Sequence, residues 1–172
     1  GIAAQEKFAA AHALIVGAGG LGAPAAQYLA AAGIGTLTLC DPDAVDLTNL
    51  QRQILFATAD VGRRKVDAAK ARLAAVNPDV RIETVPSRVG PAELAPLVAR
   101  ADVVLDCSDN FATRHAVNRA CVAAKKPLVS GAAIRFDGQV AVFDARDPGA
   151  PCYHCLFGEG EELEETRCAI MG

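Results

Sequence analysis

The stretch Ala13-Leu14-Ile15-Val16-Gly17-Ala18-Gly19-Gly20-Leu21-Gly22 decides the fold. Four apolar residues run into a turn whose glycines read G-x-G-x-x-G at Gly17, Gly19 and Gly22, and an alanine-rich segment follows. That order predicts a buried strand, a tight turn and a helix. The spacing has a physical reason. One glycine lets the chain turn, a second lets the backbone touch a phosphate, and the third lets the helix lie close to the strand. The unpaired first N–H groups of the helix then face the phosphate, with the positive end of the helix dipole behind them. A phosphate-bearing nucleotide is therefore expected here. The plainer explanation of the same glycines is tight strand–helix packing with no ligand.

Working outward, strand-like segments at 13–16, 36–40, 80–85 and 102–107 alternate with helix-like segments at 20–32, 63–76, 91–100 and 111–124. This alternation predicts an α/β fold: a Rossmann-like, mainly parallel sheet with helices on both faces. Segments 128–136 and 139–143, joined at Asp137-Gly138, predict an appended antiparallel hairpin. The expected division is a nucleotide-binding α/β domain over 1–144 and a cysteine-containing loop with an acidic tail over 145–172, five glutamates falling between 159 and 165.

With 172 residues, 52% apolar and 22% charged, the chain is long enough for one sizeable core and is not a disordered protein. Its net charge of −3 and lack of a basic tract argue against nucleic acid or an anionic membrane surface as partner. No apolar run reaches the roughly 18–20 residues of a membrane span, and residues 1–11 lack a signal-peptide pattern. The first residue is Gly1 rather than Met, as expected of a processed or trimmed product. Of six cysteines, Cys40, Cys107 and Cys121 fall in apolar segments and read as inert core thiols. Cys152, Cys155 and Cys168 gather near the end of the chain. Without a secretory signal, this usage points to a reducing, cytoplasmic location.

Ligands of such sheets bind beyond the carboxyl ends of the strands, and three of those ends carry suggestive residues: 17–22, then Asp41 and Asp43, then Ser108-Asp109-Asn110. Asp41 lies 24 residues after Gly17, near the offset of an acid that binds ribose hydroxyls. Asp43, Thr48, Asn49, Gln51, Arg52 and Gln53 form a polar group in an otherwise apolar chain; it is either a plain surface loop or, through Arg52, a phosphate clamp. Arg63, Arg64 and Lys65 are expected in the first turn of a helix, where cations oppose the dipole by ~0.3–1 kcal/mol each; a bound phosphate would resolve that conflict. Asp109 or Asn110 caps the next helix, and a free Asp109 carboxylate suits a hydrated magnesium ion. Asp106 ends the same strand and supports the site from behind. Cys152-x-x-Cys155 is half of a tetrahedral zinc site, or a redox pair, or a site completed from elsewhere. Cys168, beside Arg167, is either a favoured thiolate or a bystander. His12 and His115 show no partner and read as structural or surface residues.

Taken together, G-A-G-G-L-G, D-P-D, T-N-L-Q-R-Q, V-G-R-R-K, C-S-D-N, P-L-V-S-G-A-A-I-R, G-Q-V and P-C-Y-H-C resemble the ubiquitin-activating-enzyme-like adenylyltransferases. The likeness is closest to the bacterial sulfur-carrier members that serve molybdopterin synthase and thiamine biosynthesis. It runs over nearly the whole chain in the family's order, and T-N-L-Q-R-Q after D-P-D is its most diagnostic part.

The resemblance implies ATP-dependent adenylation of the C-terminal glycine of a small ubiquitin-like sulfur carrier ending in Gly-Gly, with release of pyrophosphate before sulfur transfer. It implies that Gly17, Gly19 and Gly20 cradle ATP and Asp41 holds the ribose. Thr48, Asn49, Leu50, Gln51 and Arg52 would lie along the nucleotide, with Asn49, Arg52 and Lys65 neutralising the triphosphate. Asp109 would hold magnesium with Asn110 beside it, and Cys152 and Cys155 would be two of four zinc ligands. Cys168 matches the family's reactive cysteine, which is dispensable in some members. Arg52, Lys65, Asp109 and Cys168 are thus the expected catalytic set. A homodimer and a sulfur-donor protein are implied as partners. The family's N-terminal helix, with an arginine that reaches the partner subunit, is missing before Gly1, and its second CxxC lies past Gly172, so a fragment of a longer enzyme is expected. Two other readings use the same residues: an NAD-dependent oxidoreductase, which leaves Arg52, Lys65 and Asp109 idle, and a non-catalytic half that only docks the carrier.

Overall fold

The computed structural model describes residues 1–158. Six strands form one sheet: β1 (His12–Val16), β2 (Thr36–Cys40), β3 (Arg81–Val85), β4 (Val103–Asp106), β5 (Pro127–Ile134) and β6 (Asp137–Asp144). Their order is β3-β2-β1-β4-β5-β6; every pairing is parallel except β5 with β6. The helices are α1 (Ile2–Ala10), α2 (Gly22–Ala31), α3 (Lys65–Val76), α4 (Pro91–Arg100), α5 (Phe111–Ala124) and the single turn α6 (Tyr153–Leu156). None of the described helices is long and apolar enough to cross a membrane.

The central strand shows why the chain folds in layers. Side chains alternate along β1, so Ala13 and Ile15 pack with Ala23, Ala26 and Ala30 of α2 and Val66, Ala69 and Leu73 of α3. Leu14 and Val16 point the other way, onto Leu94 and Val98 of α4 and Val117 and Cys121 of α5. Burial on both faces is what an inner strand of a parallel sheet requires, and each fully buried Leu or Ile here contributes about 1.5–3 kcal/mol. The buried alanines of α2 let that helix lie close to β1.

The chain crosses from β1 to β2 on one side and reaches β4 on the other, so the order reverses between β1 and β4. The carboxyl ends of β2, β1 and β4 therefore sit side by side, and with them the loops that begin at Asp41, Gly17 and Cys107. Burial pushes the Cys40, Cys107 and Cys121 thiols up to about 12, as inert core thiols require.

Three local expectations need correction, and one helix lies outside them. The helix expected at 63–76 begins at Lys65; Arg64 stands before it, in a bridge to Ala44. The hairpin turns at Arg135-Phe136, not at Asp137-Gly138: Ile134 pairs with Asp137, and Arg135 takes a φ of 56°. Residues 2–10 form α1 although none of its side chains is buried; it is tied down by the Gln5 amide on the Ala32 carbonyl (2.9 Å) and the Gly35 N–H on Phe8 (2.9 Å). His12 has partners after all: its Nε2 meets the Thr38 hydroxyl at 2.8 Å and its Nδ1 the Arg100 carbonyl at 3.1 Å.

Candidate active site

The floor of the site is the loop after β1. Gly17 has a φ of 95°, and a Cβ there would stand 2.6 Å from the Cys107 carbonyl oxygen. A Cβ on Gly22 would stand 1.8 Å from the Gly17 oxygen. Both glycines are thus required by the chain itself. Gly19 and Gly20 differ: a Cβ there would meet nothing nearer than Gln53 Nε2 at 3.7 Å and the Arg52 stem at 3.5 Å. Packing does not explain them, whereas close approach of a ligand to the backbone does. None of the hydrogen bonds among the described residues is donated by the Gly19, Gly20 or Leu21 amides. They lie at the N-terminus of the ten-residue α2, an arrangement suited to an anion.

Asp41 is 5% exposed. One of its oxygens accepts from the Ala18 N–H at 2.7 Å and the other from the Asp43 N–H at 2.9 Å, so it holds the glycine loop in place while keeping further lone pairs. Burial raises its pKa, opposed by the nearby Lys65 ammonium and these two hydrogen bonds. Lys65 itself is 4% exposed, and its Nζ rests 3.0 Å from Asp43, an exposed carboxylate. The two arginines before it are also matched, Arg63 with Asp60 at 2.7 Å and Arg64 with Asp67 at 2.8 Å. The conflict expected from three cations in a first helical turn is absent: the helix starts later, and each cation faces a carboxylate.

In the polar loop, Asp46 accepts from the Thr48 N–H (2.7 Å) and hydroxyl (2.6 Å) and so starts the 3-10 turn Leu47–Asn49. Asn49 and Leu50 are half-buried and Gln51 exposed. The exposed Arg52 lays its stem over Gly20. On the far side of Gly17, Asn110 caps α5 by accepting from the Thr113 N–H at 2.9 Å, which leaves the adjoining Asp109 exposed beside the Asn110 amide at 3.4 Å. Among the described residues no three His, Cys, Asp or Glu side chains cluster to hold a metal ion.

Behind Asp109 lies a buried group of which the sequence pointed only to Asp106. Asp106, 1% exposed, accepts from the Ser108 hydroxyl at 2.6 Å and the Ser130 hydroxyl at 3.1 Å. Arg114 of α5 lies 3.7 Å from Asp106 and donates to the Gly131 carbonyl at 2.9 Å and to that of Ser108. This buried network fastens the ends of β4 and β5 together. Its signal was present: Arg114 falls three residues before Val117, a charge on the apolar stripe of α5.

Cys152 and Cys155 lie away from this floor, at the start of α6, lining a hollow of about 210 Å³ with α5 and residues 145–151. Their sulfurs are 3.7 Å apart. That is too long for a disulfide and close to the ~3.8 Å edge of a tetrahedron with 2.3 Å zinc–sulfur bonds. Burial pushes the Cys152 thiol up, but hydrogen bonds from Asn118 and from the Cys155 and His154 amides outweigh it and hold the thiol below its ordinary value. His115 stacks edge-on to Tyr153 and His154. Cys168, Arg167 and the glutamates after Gly158 lie outside the described residues.

Sheet order, glycine loop and strand-end residues define a Rossmann-like α/β protein with its cleft at the switch point between β1 and β4. The chain belongs to the ThiF family, whose match covers residues 1–172. The molybdopterin-synthase adenylyltransferase of Escherichia coli (strain K12) is 54% identical over 158 residues, 90% of this chain and 63% of its own length. The sulfur carrier protein ThiS adenylyltransferase of the same organism is 47% identical over 169 residues, 98% of this chain and 66% of its own. The chain thus spans a little under two thirds of these relatives. The crystal structure of E. coli tRNA N6-threonylcarbamoyladenosine dehydratase in complex with ATP superposes with a TM-score of 0.75 at 36% identity, over 78% of this chain and 56% of that one.

Proposed function

We propose that the chain is the nucleotide-binding part of an adenylyltransferase that activates the C-terminal glycine of a small ubiquitin-like sulfur carrier with ATP. The observation that carries this reading is the cradle of free amides at Gly19, Gly20 and Leu21 with Arg52 laid over it. A phosphate chain fits such a cradle, and Lys65, held through Asp43 and Asp41 to the same loop, is the next cation along. The names of the relatives above favour a sulfur carrier over other carboxylates.

The chemistry asks little of the side chains. A carboxylate oxygen of the carrier's last glycine attacks the α-phosphorus of ATP. The bond from that phosphorus to the pyrophosphate oxygen breaks, pyrophosphate leaves with the electron pair, and an acyl-adenylate remains. No proton moves, so no general base is needed; catalysis is positioning and neutralisation of charge. In this reading Gly17, Gly19 and Gly20 seat the phosphates, and Asp41 accepts from the ribose hydroxyls through its free lone pairs. Thr48, Asn49, Leu50 and Gln51 flank the nucleotide, while Asn49, Arg52 and Lys65 take up the charge of the departing pyrophosphate. Asp109, with Asn110 beside it, suits magnesium, which needs only one or two carboxylates besides phosphate oxygens and which, when bound, neutralises part of the triphosphate. Cys152 and Cys155 fit two corners of a structural zinc site. The later sulfur step, with a sulfur-donor protein and Cys168, the homodimer and the cytoplasmic location belong to the same proposal.

ATP–pyrophosphate exchange tests it. Exchange is expected only when a carrier ending in Gly-Gly is supplied, and Asp109→Ala lowers it by about 100-fold or more. Binding of NAD without binding of ATP, or undiminished exchange by Asp109→Ala, overturns the proposal.

A further inference from the structure

Gln53 follows Arg52, and its backbone is fixed on both sides: its N–H donates to the Asn49 carbonyl at 3.0 Å and its carbonyl accepts from the Phe56 N–H at 3.0 Å. Its side chain is carried into the interior, the residue being 3% exposed. Yet the amide makes no hydrogen bond among the described residues, and Oε1 is buried without a partner. Native chains leave few buried polar groups unpaired, and those few concentrate where the group serves something other than folding.

The position of the amide says what it serves. Nε2 lies 3.7 Å from the point where a Cβ on Gly19 would stand. That point is open, and the free amides of Gly19, Gly20 and Leu21 border it. The Arg52 stem occupies the matching place over Gly20, at 3.5 Å.

We infer that Gln53 is a nucleotide-binding residue whose side-chain amide donates to a phosphoryl oxygen seated on Gly19 and Gly20. The inference rests on the nucleotide reading of that loop and goes beyond it. The amide adds a donor to the cradle without adding charge, which distinguishes it from Arg52 and Lys65. Because the chain holds neither end of the amide, turning Nε2 fully onto the phosphate breaks no existing hydrogen bond. The fixed backbone keeps the donor in place before the ligand arrives, so little ordering accompanies binding.

Direct binding of ATP, AMP and adenosine to the full chain, with thermal unfolding of the unliganded protein, tests this. Gln53→Met keeps the volume and removes the amide. It is expected to weaken ATP and AMP by about tenfold or more, as for a hydrogen bond to a charged group, and to leave adenosine unchanged. The same variant is expected to raise the Tm of the unliganded protein, since a buried unpaired polar atom is gone. A purely structural glutamine would instead lower Tm and leave the nucleotides bound equally. Gln53→Glu, of the same shape, is expected to weaken ATP further still by repelling phosphate, and decides the matter if the methionine variant does not fold. Equal ATP binding by wild type and both variants, or a loss that adenosine shares, overturns the role of Gln53 alone. A wild-type chain that binds no ATP overturns the nucleotide reading and Gln53 with it.

Discussion

The two ends of the sheet treat polar groups in opposite ways. Toward the amino ends of the strands the chain pairs its own polar side chains: His12 bridges Thr38 and the Arg100 carbonyl, its backbone N–H donates to Asp102 at 2.8 Å, and Glu83 pairs with Arg81 and Arg100. The hydrogen bond from Arg100, with the charges of both arginines, holds the Glu83 carboxyl below the usual range despite its partial burial. At the carboxyl ends, three amides and the Gln53 side chain have no hydrogen-bond partner among the described residues, and two glycines stand where packing asks for none. One end is held by its own side chains; the other leaves donors open. That difference is what the proposed nucleotide site rests on.

Substitutions at paired positions break or sharpen the contrast. The largest effect is expected at Gly22→Ala, whose Cβ would collide with the Gly17 oxygen at 1.8 Å; a loss of about 3 kcal/mol or more, read by urea unfolding, follows from such overpacking. Gly19→Ala, three residues away, meets no protein atom within 3.7 Å. It is expected to fold with unchanged or slightly raised stability and to lose ATP affinity by about tenfold or more, as measured by titration calorimetry. If both variants unfold alike, the division between structural and ligand glycines fails. Toward the amino ends, Thr38→Val removes the partner of His12 Nε2 and is expected to cost about 1–3 kcal/mol of stability while leaving ATP binding untouched.

The smallest effect tests pH. Asp60 accepts from the Ala57 N–H, Arg72 and Arg63, and its carboxyl is held below the ordinary value, chiefly by the first of these. A depressed carboxylate stabilises the fold above its unfolded pKa of about 4 and loses that contribution as pH falls through the lower folded value. Asp60→Asn is therefore expected to be less stable than wild type by about 1 kcal/mol at pH 7, with the gap closing below about pH 4. A gap that stays constant from pH 7 to pH 3 would show that charge is not what Asp60 contributes.

Much of this architecture is legible in the sequence because it is written in local periods. Alternation of strand and helix patterns announces the parallel sheet, and the glycine spacing announces the turn after β1. The hairpin was misread because alternation has a period of two. Moving the turn back from Asp137-Gly138 to Arg135-Phe136 keeps Phe143 on the same face and only changes its partner, to Leu128. In the observed register Phe143 and Leu128 join Val117 and Cys121 of α5 in one buried cluster, a meeting of distant segments that no local signal carries. Helix α1 was missed for the opposite reason: with no buried side chain it has no apolar stripe, and its alanines, Gln5, Glu6 and Lys7 offer only propensity. In the site, the residue types at Asp41, Arg52, Lys65 and Asp109 stood out from the sequence. Their pairings did not, because Lys65 with Asp43 and Arg114 with Asp106 are contacts between distant segments.

Gly17 has a mechanical consequence as well. Its N–H is bonded to the Cys40 carbonyl at the end of β2, the Val16 carbonyl just before it takes the Cys107 N–H, and its missing side chain lets the Cys107 carbonyl lie against it. The ends of three strands are thereby spliced at one residue. The loop that bears the free amides and the loop that bears Asp109 are therefore mounted on a common joint, like the two jaws of a caliper.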